Sequence, residues 1–361
     1  MTTVSADAPR ILVINPTATA TNVALFDGEE ERLAAELVHS RDELARFERV
    51  WDQFLMRRDR ITSCLRDAGV PLESLSAVVG RGGLMKPVPG GVYSVNGAML
   101  EDLRAGVQGE HASNLGGILA YGIAHALGIP AYVVDPVSTD EMRAEAHVTG
   151  LPGLRRSSLA HALNMRWMAR KAAAELGKAY AEANLVVAHL GAGISVSAHQ
   201  GGRMVDASNA LEDGPFAPER AGRVPAGDLV RLCFSGQYTE RQLIRKLTAE
   251  GGLVAHLGTA DWREVERRIA EGDRHASLVY SAMAYQVARE IGAMAVALRA
   301  RADAVVLTGE LAHSDLLTGN ISARVGWIAP VMRYPGSEEN VAMAAGALRV
   351  LRGEEEALTY R

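Results

Sequence analysis

The chain has 361 residues, 48% apolar and 22% charged, a globular balance in a length that exceeds one ordinary hydrophobic core, so two domains are expected. Lys and Arg number 38 against 43 Asp and Glu, and the net charge of −5 gives no reason to expect nucleic acid or an anionic membrane as partner. An anionic substrate has to be held by a local cluster of donors.

In chain order, Arg10–Asn15 is a short apolar run ending in a polar turn and predicts a strand. Thr21–Phe26 is a second, closed by the hairpin signal Asp27-Gly28, and Arg32–His39 a third. Asp42–Ala68 reads as one long helix stopped by Gly69 and Pro71. The strand Leu75–Val79 runs into Gly80-Arg81-Gly82-Gly83, helices follow at Ala98–Val107 and Ser113–Leu127, and the strand Ala131–Val134 ends at Asp135-Pro136. The second half repeats this order. Helix Ser157–Leu176 leads to strands Leu185–His189, Ile194–His199 and Arg203–Asp206, the first two joined by Leu190-Gly191-Ala192-Gly193. Helices are expected at Asp228–Phe234, Glu240–Glu250, Trp262–Glu271 and Ala276–Arg299, then the strand Ala304–Leu307 before Thr308-Gly309-Glu310, and a last helix from Glu338 to Leu351. Hairpin-joined strands followed by alternating helices and strands imply an α/β fold with a mixed sheet in each half, and a central cleft between halves is where ligands usually bind.

Cys64 and Cys233 lie far apart without metal-ligand spacing and read as buried thiols of a reducing cytosol. Met1–Arg10 is short and polar, unlike a signal peptide, and no apolar stretch reaches the roughly 18 residues of a membrane span. The expectation is a soluble, cytoplasmic protein.

No Gly-x4-Gly-Lys-Ser/Thr loop, His-Glu-x-x-His, Gly-x-Ser-x-Gly or Cys-x-x-Cys occurs. Polar residues do gather at predicted strand ends: Asn15, Arg81, Asp135, His189 and Gly309. That is where open α/β sheets place ligands. The set suits phosphoryl transfer, which needs donors for charged oxygens, a carboxylate for a metal ion and a backbone loop near phosphate.

Seven blocks then resemble the small-carboxylate kinases of the actin-like phosphotransferase superfamily, the butyrate kinases above all. They are Ile14-Asn15-Pro16-Thr17-Ala18-Thr19-Ala20-Thr21; Val79-Gly80-Arg81-Gly82-Gly83 with Lys86-Pro87-Val88-Pro89-Gly90-Gly91; His111-Ala112-Ser113-Asn114-Leu115-Gly116; Asp135-Pro136-Val137-Ser138-Thr139-Asp140; His189-Leu190-Gly191-Ala192-Gly193-Ile194; Asp213-Gly214-Pro215-Phe216-Ala217-Pro218-Glu219-Arg220; and Thr308-Gly309-Glu310-Leu311. The resemblance implies two actin-like (ribonuclease H-like) domains, residues 1–148 with 339–361 and residues 149–338. It implies catalytic roles for Asn15, Arg81, Asp135, His189 and Arg220, with His189 bonding the phosphoryl group in flight and the arginines gripping carboxylate and phosphoryl oxygens. Asp135 and Glu339, or its neighbour Glu338, would orient Mg2+, His111 and Asn114 would lie by the acyl group, and Thr17, Thr19, Gly191, Gly193, Gly309 and Glu310 would face ATP or ADP. His189, Asp135, Arg81, Arg220 and Asn114 each also admit a structural reading, as satisfied core residue, turn cap or ion-pair partner.

Departures from the family pattern fall on the nucleotide side. Thr17 stands for glycine, Ala18 and Ala20 for serines, Asn22 for lysine, Ala192 for the middle glycine of its turn, and Glu310 for a glycine, where its carboxylate is expected to enter the adenosine pocket. Three readings stay open at this point: an acyl kinase moving phosphate between ATP and a short or branched carboxylate, a diverged homologue handling acyl phosphate with another donor or acceptor, and a non-catalytic binding protein. The resemblance further implies a homodimer or larger homo-oligomer.

Overall fold

The computed structural model describes residues 8–361. Met1–Asp7, most of the segment read as no signal peptide, lie outside the described residues. The strands run as β1 (Arg10–Pro16), β2 (Ala20–Asp27), β3 (Glu30–Val38), β4 (Ala77–Arg81), β5 (Val92–Ser94), β6 (Ala131–Val134), β7 (Leu185–Leu190), β8 (Ile194–Gln200), β9 (Arg203–Ala207), β10 (Ala304–Gly309), β11 (Val331–Pro335) and β12 (Leu358–Thr359). They form two sheets, ordered β12-β5-β6-β4-β1-β2-β3 and β11-β10-β7-β8-β9. The chain divides into two compact units, one reaching Thr139 and taking in Glu338–Arg361, the other Asp140–Ser337.

In the first unit β1 is apolar on both faces, with Ile11, Leu12, Val13 and Ile14 fully buried, so it fits only the middle of a sheet covered on both sides. It pairs antiparallel with β2 and parallel with β4. Helix Asn114–Leu127 crosses β4 so closely that a Cβ on Gly80 would fall on the Gly116 carbonyl, and one on Gly116 would fall on the Arg81 carbonyl. This glycine-to-glycine contact fixes the strand end that carries Arg81.

The second unit is built on β7 and β10, parallel neighbours that are buried along their whole length. The long helix Arg274–Ala297 and helix Asp315–Val325 enclose one core, with Val186, Val196, Met283, Val287, Ile291, Leu307 and Leu317 buried in it. Helix Ala162–Glu175 covers the other face with Met165, Met168, Ala169 and Ala172.

Several expectations are corrected. The helix expected over Asp42–Ala68 is broken into a short turn, Arg41–Leu44, capped by Ser40, a tight turn Val50–Gln53, and helix Phe54–Asp67. The Arg49 guanidinium reaches the Arg104 carbonyl and Glu110, and the Arg104 guanidinium lies 4.3 Å over the Trp51 ring, long-range contacts that hold this stretch apart from the helix. The helix expected from Ser157 begins at Ala162, because the Ser158 amide bonds Asp140 and the Leu159 carbonyl receives the Ala210 amide. The partition between units falls after Thr139, ahead of the expected 148. Residues 140–148 are tied to the second unit: Arg143 N–H donates to the Val205 carbonyl and the buried Glu141 pairs with Arg166 at 2.7 Å. Cys233, expected to be buried, is exposed, and Cys64 is half-buried.

Candidate active site

Three predicted residues of the first unit meet at one carboxylate. Asn15 closes β1 and Arg81 closes β4, parallel neighbours, so their side chains emerge at the same sheet end. Glu339 opens helix Glu339–Leu351 beside them. Asn15 Nδ2 donates to Glu339 Oε2 at 2.9 Å, and Arg81 Nη1 binds the same oxygen as an ion pair. Asn15 is buried, whereas Arg81 and Glu339 keep about a fifth of their side chains exposed, enough to reach a ligand.

Asp135 follows β6 at φ 39°, a left-handed backbone seldom taken by a residue with a side chain. It is held there by a reciprocal pair: Gly91 N–H donates to Asp135 Oδ1 at 2.8 Å and Asp135 N–H donates to the Gly91 carbonyl at 2.9 Å. Such strain collects where a side chain has to be aimed. No group of three or more His, Cys, Asp or Glu able to hold a metal occurs among the described residues. Asp135 and Glu339 each carry hard carboxylate oxygens, and one or two such oxygens with water completing the shell are what magnesium takes.

The turn between β1 and β2 is closed by Thr17. Its amide donates to the Ala20 carbonyl at 2.8 Å, and its hydroxyl accepts from the Ala20 amide at 3.0 Å. Thr17 thus serves the turn itself, while Ala18 and Thr19 are exposed. Asn114 is likewise engaged internally: Oδ1 accepts from the Leu84 amide at 2.8 Å and Nδ2 donates to the Gly109 carbonyl at 3.0 Å. It holds the loop after Arg81, and His111 Nδ1 is paired with Ser113 Oγ at 2.8 Å. The acyl-contact roles implied for His111 and Asn114 find no support in these bonds.

In the second unit His189, near the end of β7, is buried and its Nδ1 accepts from Asn164 Nδ2 at 2.9 Å. The same Asn164 amide donates to Thr308 Oγ1 at 3.2 Å, whose hydroxyl donates to the Gly336 carbonyl at 3.2 Å. An occupied Nδ1 lone pair puts the ring proton on Nε2, and Nε2 lies toward the glycine turn, 3.0 Å from where a Cβ on Gly191 would be. Arg220 lies over the next glycine, so that a Cβ on Gly193 would fall on its guanidinium, and Arg220 Nη1 donates to the Ala210 carbonyl at 3.2 Å. Burial draws the Arg220 pKa down from its ordinary value, yet the guanidinium stays charged at neutral pH. The turn therefore keeps glycine at 191 and 193 to make room for one imidazole and one guanidinium.

Sequence reasoning missed a second imidazole. The His161 ring stacks on His189 with centroids 4.0 Å apart and planes 13° from parallel, and its Nδ1 is 2.9 Å from Ser195 Oγ. His161 immediately precedes helix Ala162–Glu175 and Asn164 follows three residues later. That i, i+3 spacing is the signal that could have marked them as neighbours on one helical face.

Glu310 follows Gly309 at the end of β10. It is exposed, and its carboxylate pairs with Arg263 Nη2 at 3.0 Å, so its charge is offset at the surface. Gly309, at φ 94°, passes so near β7 that a Cβ would fall on the Leu190 carbonyl. Ala192 is exposed as well. The structure thus gathers Asn15, Arg81 and Glu339 in one unit, with Asp135 fixed at its own strand end there, and His189, Gly191, Gly193, Arg220 and Gly309 in the other.

Residues 146–316 match the acetokinase family. The chain is 48% identical over 353 residues to butyrate kinase 2 of Clostridium acetobutylicum, covering 98% of this chain and 99% of that protein. Among solved structures, the acetate kinase of Porphyromonas gingivalis superposes with a TM-score of 0.77 at 18% identity, over 95% of this chain and 100% of its own. The propionate kinase of Francisella tularensis gives 0.74 at 19%, over 94% and 98%. These likenesses show the two-part α/β, actin-like fold, and the near-full-length identity goes further: the chain belongs to the butyrate kinases of the acetokinase family.

Proposed function

We propose that the protein moves a phosphoryl group between ATP or ADP and a short or branched aliphatic carboxylate, with an acyl phosphate as the product of the forward direction. The observation that carries this reading is the His189–Arg220 pair at the Gly191–Gly193 turn, an imidazole fixed as an Nε2–H donor and a charged fork on the same turn. In a direct displacement the carboxylate oxygen bonds to phosphorus as the bond to the nucleotide's bridging oxygen breaks. Charge spreads over the equatorial oxygens, and donors aimed there lower the barrier. His189 and Arg220 act in that role, Arg81 with Asn15 orients the acceptor carboxylate, and the stacked His161 fixes the His189 ring plane. Magnesium, held through Asp135 and Glu339, would neutralise phosphate charge.

The Arg263 guanidinium beside Glu310 offsets the charge that would repel a nucleotide, which supports ordinary nucleotide use. The same reading expects a homo-oligomer and a cytoplasmic setting; no helix among the described residues is long and apolar enough to cross a membrane. The test is acyl phosphate formation, trapped with hydroxylamine, from MgATP with acetate, propionate, butyrate and isobutyrate in turn. Turnover with butyrate or isobutyrate supports the proposal. No acyl phosphate from any of the four, with ATP left intact, refutes it.

A further inference from the structure

Arg57 is the largest side chain with no solvent exposure at all among the described residues. It rises from helix Phe54–Asp67 to the underside of the turn between β1 and β2. Its Nη1 donates to the Ala20 carbonyl at 2.8 Å and to Thr21 Oγ1 at 3.0 Å, while Nε and Nη2 donate to Gln53 Oε1 at 3.1 and 2.8 Å. Every acceptor is neutral. No carboxylate lies within ion-pair distance of Arg57 among the described residues. Glu43, the acid whose field reaches it, instead pairs with Arg60 at 3.1 Å and approaches His39 Nδ1 at 3.8 Å. His39 bonds Thr21 Oγ1 at 2.9 Å and is kept neutral by burial and by the Arg57 charge, its pKa drawn down to about 4.

A buried guanidinium with no counter-ion is costly, and native proteins seldom keep one unless an anion completes it. The turn above Arg57 is built to receive an anion. No Lys or Arg occurs between Arg10 and Arg32, so the turn has no cation of its own. The Ala20 carbonyl is consumed by Thr17 and Arg57 and the Thr19 carbonyl by the His39 amide, which turns the acceptors inward. The exposed Ala18 and Thr19 amides make no backbone hydrogen bond among the described residues. Two such amides, in a turn whose Ala20 carbonyl is bonded by a buried positive charge, are the kind of donors that bind an anion.

We propose that Arg57 is the fixed cation of this turn, a positioning residue whose missing counter-ion is a phosphoryl oxygen bound at the Ala18 and Thr19 amides. This rests on the kinase reading for the identity of the anion, but it can be tested apart from it. The probe is tripolyphosphate, its affinity measured by calorimetry on the wild-type chain, Arg57→Lys and Arg57→Gln. Both variants lose the planar fork; only Gln loses the charge. The expected result is roughly tenfold or more weaker binding for Arg57→Gln, the scale for losing an interaction with a charged group, and near-wild-type binding for Arg57→Lys. The assignment is overturned if both variants bind like wild type, if both are equally weak, or if the wild-type chain binds no tripolyphosphate. Charge-dependent binding by a chain that forms no acyl phosphate would leave Arg57 in place and remove the kinase reading instead.

Discussion

Replacing Asn164 with Asp tests whether the tautomer of His189 matters to turnover. In the native chain the Asn164 amide occupies Nδ1 at 2.9 Å, so Nε2 carries a proton in both the neutral and the charged ring. A donor therefore faces the phosphoryl site in either form of the ring. An aspartate accepts where the amide donated. The neutral ring then places its proton on Nδ1 and turns a lone pair toward the phosphoryl oxygens. Only the protonated ring restores Nε2–H, and the aspartate stabilises that form. A hydrogen bond to a charged group is worth about 1.5–3 kcal/mol, so kcat at high pH should fall roughly 10- to 100-fold and recover as pH drops. The assay is kcat against pH from about 6 to 9 for the wild-type chain, Asn164→Asp and Asn164→Ala, with Ala giving a smaller loss and no new pH step. An Asn164→Asp enzyme with wild-type turnover and profile would refute the reasoning.

Other expectations are more local. Gly193→Ala drives a methyl into the Arg220 guanidinium, so kcat should fall at least about tenfold while the melting temperature barely moves; unchanged kcat would mean Arg220 is not used in place. His199 is fully buried between Tyr180 and Ser197, and burial, reinforced by Arg166, lowers its pKa to about 3. Its neutral form is the folded one, so its contribution to stability is complete above about pH 6.5 and is lost toward the folded pKa at about 1.4 kcal/mol per pH unit. Urea unfolding between about pH 7 and 4 should show a shallower decline for His199→Gln than for wild type, and parallel curves would contradict this. Tyr360→Phe removes a donor to Asp102 at 2.6 Å and an acceptor for the Lys86 amide at 3.0 Å, both behind the loop that follows Arg81. Urea unfolding should register a loss of about 1–3 kcal/mol, and no change would show that water replaces both bonds.

Local signals carried most of the fold. The opening hairpin was legible because β1 and β2 are apolar runs flanked by turn residues, and the strand at 185–190 because a buried parallel strand shows no polar alternation. Elements governed by distant contacts were not. β12 is a two-residue strand whose only reason to exist is β5, itself three residues long. β11 is partly exposed and ends in proline, and helix Asp315–Val325 carries Gly319 and Asn320, which blur its period. The break before residue 50 follows from Arg49 and Trp51 finding a distant partner, Arg104, which no window of sequence contains.

The candidate site divides along the same line. Asn15, Arg81, Asp135 and His189 were legible because a polar residue ending an apolar strand is exceptional in composition. Glu339 at Asn15, 324 residues away, was reached by resemblance alone, and the Asn164–His189 bond by neither route. Substitutions on the nucleotide side show a further limit, since residue identity does not give direction. Read as composition, Thr17, Ala18, Ala20, Ala192 and Glu310 remove donors and add a negative charge. In place, Thr17 folds its hydroxyl back to close the turn, Ala192 is exposed, and Glu310 pairs with Arg263. What the turn offers an anion is then its backbone amides, which no side-chain substitution removes, set above a guanidinium that is invisible in the motif because it lies 37 residues from Ala20. A motif read alone thus misses the guanidinium that bonds the Ala20 carbonyl from a helix packed against this loop.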